Sequence, residues 1–314
     1  MKVLILTDAQ RSGMREDEAD TLLQVKAVKK ALSRLGHTVE VAFFSLNLIL
    51  TARRIEKSGC DLVFNLVENL SSSRLLHLVP LLCQTLSVPY SGGSAYTLSV
   101  TGDKLVAKRQ LSLAGLPTPP WLEGSGGCSH FLHLPLMLKP IAQEASVGIT
   151  DASVQTFADE AQLTLTLSGH PEIFAERYID GREFNLSILP GGRVLPVCEM
   201  CFVDYPEDTV KIVGYEAKWQ QESFAYQHTQ RSYTFANEER DLVEELKRLA
   251  KAVYDLFGSS GYARVDFRVD EQNRPFILEM NSNPCITADS GFIAAASQAG
   301  MSYVEVIEQL LGSH

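Results

Sequence analysis

No long apolar run occurs in this chain of 314 residues. The richest stretch, Val41 to Leu50, is interrupted by Ser45 and Asn47 and falls well short of a bilayer span, so no membrane partner is expected. Nor is there a basic excess. Twenty-eight lysines and arginines against 38 aspartates and glutamates leave a formal net charge of −10, which argues against a nucleic-acid partner. Local lysines can still build one positive pocket for a small anion. The six cysteines are dispersed, as suits a reducing cytoplasm. Cys198 and Cys201 have C-x-x-C spacing, but no second pair or histidine cluster supports a metal, so they read as strand residues. Met1 to Leu6 lacks a cleavage region and reads as a first β-strand rather than a signal peptide. After that strand the glycine fingerprint of a dinucleotide-binding turn is missing. No internal repeat or low-complexity tract stands out.

What is present is strand–helix alternation followed by paired strands. Val3 to Thr7, Val39 to Phe44 and Asp61 to Val67 read as strands. Glu18 to Leu35 reads as a helix stopped by Gly36, and a second helix is expected around Leu75 to Leu86. Such alternation implies a parallel sheet. Thr101 to Ala114 is again helical, Glu123 to His130 a loop, and Leu134 to Pro140 a strand carrying Lys139. That strand opens into a small-residue loop, Ile141 to Ile149, able to bring backbone N–H groups close to a phosphate. Further strands are expected over Phe174 to Ile179 and Phe184 to Leu189, and helices over Glu238 to Phe257, Gly291 to Ala299 and Ser302 to Leu311.

The most informative segment is the hairpin Gly261 to Phe267 and Phe276 to Asn281. Arg264 and Asp266 lie two apart, as do Glu279 and Asn281, so each pair shares a strand face. Two carboxylates and a carboxamide oxygen suit Mg²⁺ held together with substrate phosphates. The opposite face, with Val265, Phe267, Leu278 and Met280, is expected to be apolar.

In order along the chain, these pieces resemble the ATP-grasp superfamily, and within it the D-alanine–D-alanine ligase-like branch. The residues that carry the likeness are Gly102-Asp103-Lys104-Leu105, Leu138-Lys139-Pro140 with Ser146-Val147-Gly148, Tyr215-Glu216-Ala217-Lys218, Ala263 to Asp266, and Leu278 to Asn281. The resemblance implies an α/β (α+β) fold: a Rossmann-like N-terminal lobe (1–95), a small central lobe (96–178) and a larger C-terminal lobe (179–314) with the metal site. ATP would lie between two antiparallel sheets. Lys104, Lys139 and Lys218 would meet its phosphates, and Ser146, Val147 and Gly148 would cap them. Glu176, Arg177, Tyr178 and Ile179 would form the hinge that reads adenine, and Glu183 would accept from the ribose. Asp266, Glu279 and Asn281 would hold two Mg²⁺ ions, or Mn²⁺ in their place. Arg264, Lys218 and Ser146 are carried over as the catalytic set, with Arg264 on the oxyanion of the tetrahedral intermediate. The activity implied is carboxylate activation as an acylphosphate, followed by attack of an amine. The partners are a small carboxylate and an amino-acid-like acceptor, and a homodimer is suggested.

The departures concern the substrates. Where the ligases carry a His-Gly pair after the third strand, this chain has Glu68, with Arg74 following. Ala145 replaces the first of two family serines, and Trp219 the tyrosine after Glu-Ala-Lys. That serine and tyrosine normally help an N-terminal glutamate to hold the first D-alanine's amino group; Glu16, Asp17 and Glu18 are candidates for the glutamate. Cys285 stands where the ligases have a glycine, while Ser290 and Gly291 occupy the acceptor-carboxylate position. The expectation is a retained ligation chemistry with a rebuilt first-substrate pocket shaped by Glu68, Arg74 and Trp219. The alternatives are an ester-forming (depsipeptide) ligase and an ATP-binding regulatory paralogue without ligase activity. The loop from Asp204 to Glu222 is the candidate lid.

Overall fold

The computed structural model describes residues 1–9, 13, 15–124 and 128–312; part of the expected loop at 123–130 therefore lies outside the described residues. The N-terminal third contains β1 (Lys2–Thr7), α1 (Glu16–Arg34), β2 (Thr38–Phe43), α2 (Leu48–Ser58), β3 (Leu62–Leu66), α3 (Leu78–Thr85), α4 (Ala95–Thr101) and α5 (Lys104–Leu113). The strands form a parallel sheet in the order β2-β1-β3. β1 and β3 are almost wholly apolar because both faces of a parallel sheet are covered. The expected helix at 75–86 is a short 3₁₀ turn (Ser73–Leu75) and then α3. The expected helix at 101–114 is α5, and α2 and α4 are additional. Asp103 separates α4 from α5 by capping the latter, accepting from the N–H groups of Leu105 and Val106.

The central segment folds as β4 (Trp121–Leu122), β5 (Pro135–Pro140), β6 (Val154–Thr156), α6 (Glu160–Gly169) and β7 (Ile173–Arg177), with a sheet in the order β4-β7-β5-β6. There follow β8 (Arg182–Leu189), β9 (Arg193–Val194), β10 (Cys198–Phe202), α7 (Tyr215–Trp219), α8 (Phe224–His228), β11 (Thr229–Ser232), α9 (Arg240–Leu256), β12 (Ala263–Val269), β13 (Pro275–Asn281), α10 (Gly291–Gln298) and α11 (Tyr303–Leu311). β8 and β10 to β13 form an antiparallel sheet in the order β11-β10-β8-β12-β13, with β9 beside β8. Cys198 and Cys201 lie on β10 as expected, and all six cysteines are free thiols.

Two packing features bring the lobes together. α10 and α11 return to the N-terminal sheet, so Phe292, Val306 and Leu310 share one core with Val3, Ile5 and Phe64. At the same junction the turn after Tyr90 lies against the start of β12. A Cβ at Gly261 would fall 2.1 Å from the carbonyl oxygen of Gly92, so the two backbones meet with no room for a side chain.

Candidate active site

β12 and β13 pair with Arg264 opposite Asn281 and Asp266 opposite Glu279. A bulge follows, because Phe267 pairs with Ile277. Leu278 is the extra residue, and the insertion overturns its expected place on the apolar face. Ile277 is buried in the core instead, and Leu278 lines the cleft beside Glu279. Two cavities meet over this face. The smaller, about 90 Å³, lies between the two antiparallel sheets and is lined by Lys139, Glu176, Tyr178, Ile179 and Leu278 among others. The larger, about 540 Å³, extends from Asp266 and Arg264 toward α1 and the N-terminus of α10. Glu144, Glu183, Val213, Lys218 and Asp266 border both, so the two spaces are continuous in function.

The cations are arranged unevenly. Lys104 Nζ sits 3.2 Å from Glu279 and donates to the Gln143 carbonyl at 2.6 Å. Burial would lower Lys104, but Glu279 and Glu144 outweigh it and raise its pKa. Lys139 pairs with Glu176, and so does the buried Lys108, at 2.8 Å. Burial would raise Glu176; the two lysines overcome it and hold the carboxyl below its usual range. Lys218 has no side-chain hydrogen bond or ion pair among the described residues. Burial, and then the nearby Arg264, lower its pKa. Arg264 lies against Asp266 in a two-pronged ion pair, both contacts 2.7 Å.

The loop after β5, residues 141–149, places Ala145 and Ser146 at φ +58° and Gly148 at +79°. The Val147 N–H closes a turn onto the Glu144 carbonyl at 3.1 Å. The N–H groups of Ser146 and Gly148 have no such partner among the described residues. The segment around α7 is pinned over this loop. The Ser146 hydroxyl donates to the Val213 carbonyl (3.0 Å), and Trp219 Nε1 donates to the Ala145 carbonyl (2.9 Å). The Tyr178 hydroxyl and Arg268 Nη1 both donate to the Lys211 carbonyl, at 3.2 and 2.8 Å. Arg268 also meets Glu183 at 3.1 Å, partly offsetting the burial that raises the Glu183 carboxyl.

On the substrate side, the Tyr215 hydroxyl donates to Asp17 at 3.0 Å, with Arg15 holding the same carboxylate. Of the three acidic candidates at the N-terminus, Asp17 is the one that borders the cavity; Glu18 is buried against Arg15 and Glu16 is exposed. Glu68 accepts from Gln24 Nε2 at 2.6 Å, and burial pushes it up to about 8. The Cys285 thiol donates to Asp20 at 3.1 Å, and burial raises it well above its ordinary value. Ser290 caps α10 by accepting from the Ile293 N–H, and Ser290 and Gly291 both line the cavity. Arg74 does not reach this cavity. Its half-exposed guanidinium bonds Asp103 at the cap of α5, because that carboxylate is the partner its short 3₁₀ turn presents. The remaining expected residues line one cavity or both, except Gly148, which borders neither although its neighbours Val147 and Ile149 line the smaller one. Asp20, Gln24, Lys108, Glu144 and Tyr215 received no role from sequence. A buried lysine or glutamine inside an amphipathic helix was the available signal.

The donor set fits ATP and Mg²⁺ in a particular way. Among the described residues no three His, Cys, Asp or Glu side chains converge as a closed metal cage. Asp266, Glu279 and the carboxamide of Asn281 instead form an open oxygen edge facing the lysines, with Asn281 Nδ2 3.2 Å from Asp266. Mg²⁺ favours that kind of partial set, completed by phosphate oxygens.

The fold is that of the ATP-grasp enzymes. Bacillus anthracis D-alanine–D-alanine ligase complexed with ATP superimposes at TM-score 0.75 with 20% identity, covering 100% of this chain and 97% of that one. The Coxiella burnetii enzyme gives 0.71 at 16% identity, over 99% and 93%. In sequence, residues 123–312 match the family model described as the D-ala D-ala ligase C-terminus. A Synechococcus D-alanine–D-alanine ligase is 32% identical over 294 residues, 91% of this chain and 86% of its own. The Bordetella pertussis ligase is 33% identical over 73% and 71%. The chain belongs to the D-alanine–D-alanine ligase family, ATP-dependent ligases of the ADP-forming kind.

Proposed function

We propose that the protein joins a carboxylate to an amine through an acylphosphate, and that its first substrate is not D-alanine. The carboxylate oxygen attacks the γ-phosphorus and ADP leaves. The amine nitrogen then attacks the acyl carbon, and phosphate leaves as the nitrogen loses a proton. Positioning and charge neutralisation are the main demands of such a transfer. In this proposal Lys104, Lys139 and Lys218 take the phosphates, residues 176–179 the adenine and Glu183 the ribose. Asp266, Glu279 and Asn281 would hold Mg²⁺, which supplies charge neutralisation when bound. Arg264, freed from part of its contact with Asp266, faces the intermediate's oxyanion, and Ser290 at the start of α10 takes the acceptor carboxylate. Lobe boundaries at 95 and 178, a homodimer and a cytoplasmic location complete the proposal.

The observation that carries the changed substrate is the wall of the larger cavity. Trp219 spends its N–H on a backbone carbonyl, Tyr215 reaches Asp17 from one turn earlier, and Glu68 faces the space with Gln24 behind it. The test is ADP release with Mg-ATP across D- and L-amino acids, singly and in pairs, with products read by mass spectrometry. Turnover with a defined pair other than D-alanine with itself is expected. Efficient D-alanine dimerisation overturns the rebuilt pocket, and silence across the panel with ATP still bound overturns the ligase. A product ester instead of an amide identifies a hydroxyl acceptor.

A further inference from the structure

The larger cavity is short of positive charge at its far end. Asp20 on α1, Glu68 after β3 and Asp289 before α10 all border it, and none is in an ion pair among the described residues. Glu68 by itself holds its proton and would ionise only beside a cation. Asp17 also borders it but is already matched by Arg15. Arg231, the one cation on this wall among the described residues, spends a donor on the Asp289 backbone carbonyl at 2.8 Å, so one positive charge stands against three carboxyl groups. Lys218 and Arg264 belong to the opposite end, with Asp266 and Glu279.

Hydrogen-bond accounting adds a second observation, carried by Asn283, since Asp8 and Tyr262 lie behind the cavity wall. Three buried polar atoms on this side have no partner: Asp8 Oδ1, the Tyr262 hydroxyl and Asn283 Oδ1. Asp8 already accepts from the Glu68 and Asn69 N–H groups through its other oxygen. Asn283 borders the cavity, and the buried Tyr262 ring lies near Glu68 and Cys285. A buried acceptor such as Asn283 Oδ1 without a donor is uncommon, and its place on the cavity wall points to a donor entering from the cavity. Burial also raises the Asp20 carboxyl, as expected where no counter-charge is at hand.

Substrate orientation follows from the cations. A carboxylate destined for phosphorylation belongs beside Lys218 and Arg264, so the rest of the molecule extends toward Asp20 and Glu68. The acceptor shares this cavity near Ser290 and Asp289, which leaves Asp20 and Glu68 to the first substrate. A single α-ammonium matches only one of them, and a cavity of about 540 Å³ holds two amino acids larger than alanine. We propose that the amino acid held in this chamber carries a second positive charge on its side chain: a diamino or guanidino amino acid. The inference rests on the ligase reading and names the substrate class for that same site.

The test compares charged and neutral partners of equal shape in the intact enzyme with Mg-ATP: lysine against norleucine, and arginine against citrulline, in both configurations. The expected result is at least a tenfold higher kcat/KM for ADP release with the basic member of one pair. Glu68→Gln and Asp20→Asn should each shrink that ratio several-fold, chiefly through KM for the basic amino acid. Asp20→Asn keeps the comparison open if Glu68→Gln fails to fold. Equal kcat/KM within both pairs overturns the inference and leaves the ligase standing. No ADP release with any amino acid, while Mg-ATP still binds, removes the ligase reading and this inference together.

Discussion

Glu68 shows how one carboxylate can link substrate choice to stability. It is withdrawn from water with Gln24 as its donor, while Asp8, Asp20 and Glu144 repel it. Its folded pKa is pushed up to about 8 from 4.5. Between those values the folded carboxyl keeps a proton that the unfolded chain releases, so its contribution to stability is lost as pH rises through that window. Glu68→Gln keeps the acceptor for Gln24 and removes the titration. Unfolding measured at pH 5.5 and pH 8.5 should show a gap narrower by about 2 kcal/mol in the variant, after allowing for the side chain's partial exposure. An unchanged gap would mean that Glu68 is ionised in the fold at neutral pH. At this scale the sequence was informative where side chains sit two apart on strands. Arg264, Asp266, Glu279 and Asn281 had to share a face whatever the tertiary packing. Gln24, Asp20 and Tyr215 were not legible, because their partners lie 44, 265 and 198 residues away.

Secondary elements were read well where periodicity alone decides them. β1, β3, β5 and α9 fall where apolar spacing puts them, whereas α2 hides because much of its apolar surface is exposed, including Ile49 and Leu50. The bulge at Leu278 was invisible for a different reason: one inserted residue leaves composition unchanged while reversing the side chain's face. The short helix α7 has the largest mechanical consequence. It is bonded to the loop after β5 through Trp219 and to α1 through Tyr215, so it spans the cavity mouth. Tyr215→Phe removes a hydrogen bond to a charged acceptor, worth about 1.5–3 kcal/mol. The expected outcome is faster limited proteolysis between 204 and 222 and a several-fold higher KM for the amino acid. Wild-type proteolysis rates would show that the bond does not restrain the lid.

For the whole molecule, the proposal makes the oxygen edge on β12 and β13 an incomplete metal site until phosphates arrive. Mg²⁺ alone at millimolar concentration should therefore leave the melting temperature unchanged. Mg-ATP at about 100 times its Kd should stabilise the fold by about 2.7 kcal/mol. A shift with the metal alone would show that the protein closes a cage unaided. If the cavity of about 90 Å³ between the sheets is the nucleotide space, as proposed, loading should part the two sheets or lift the pinned segment, and ATP should associate more slowly than diffusion allows.

The contact of Gly261 with Gly92 bears on how such an enzyme can be inherited. Because a Cβ at position 261 would run into the Gly92 carbonyl, a fragment from a relative can be grafted across this junction only if it brings glycine at 261. A graft that brings any other residue to 261 would wedge the two backbones apart beside the chamber. Substrate range in this lineage should then have diversified by point changes on the cavity wall, with the lobes passed on as one unit.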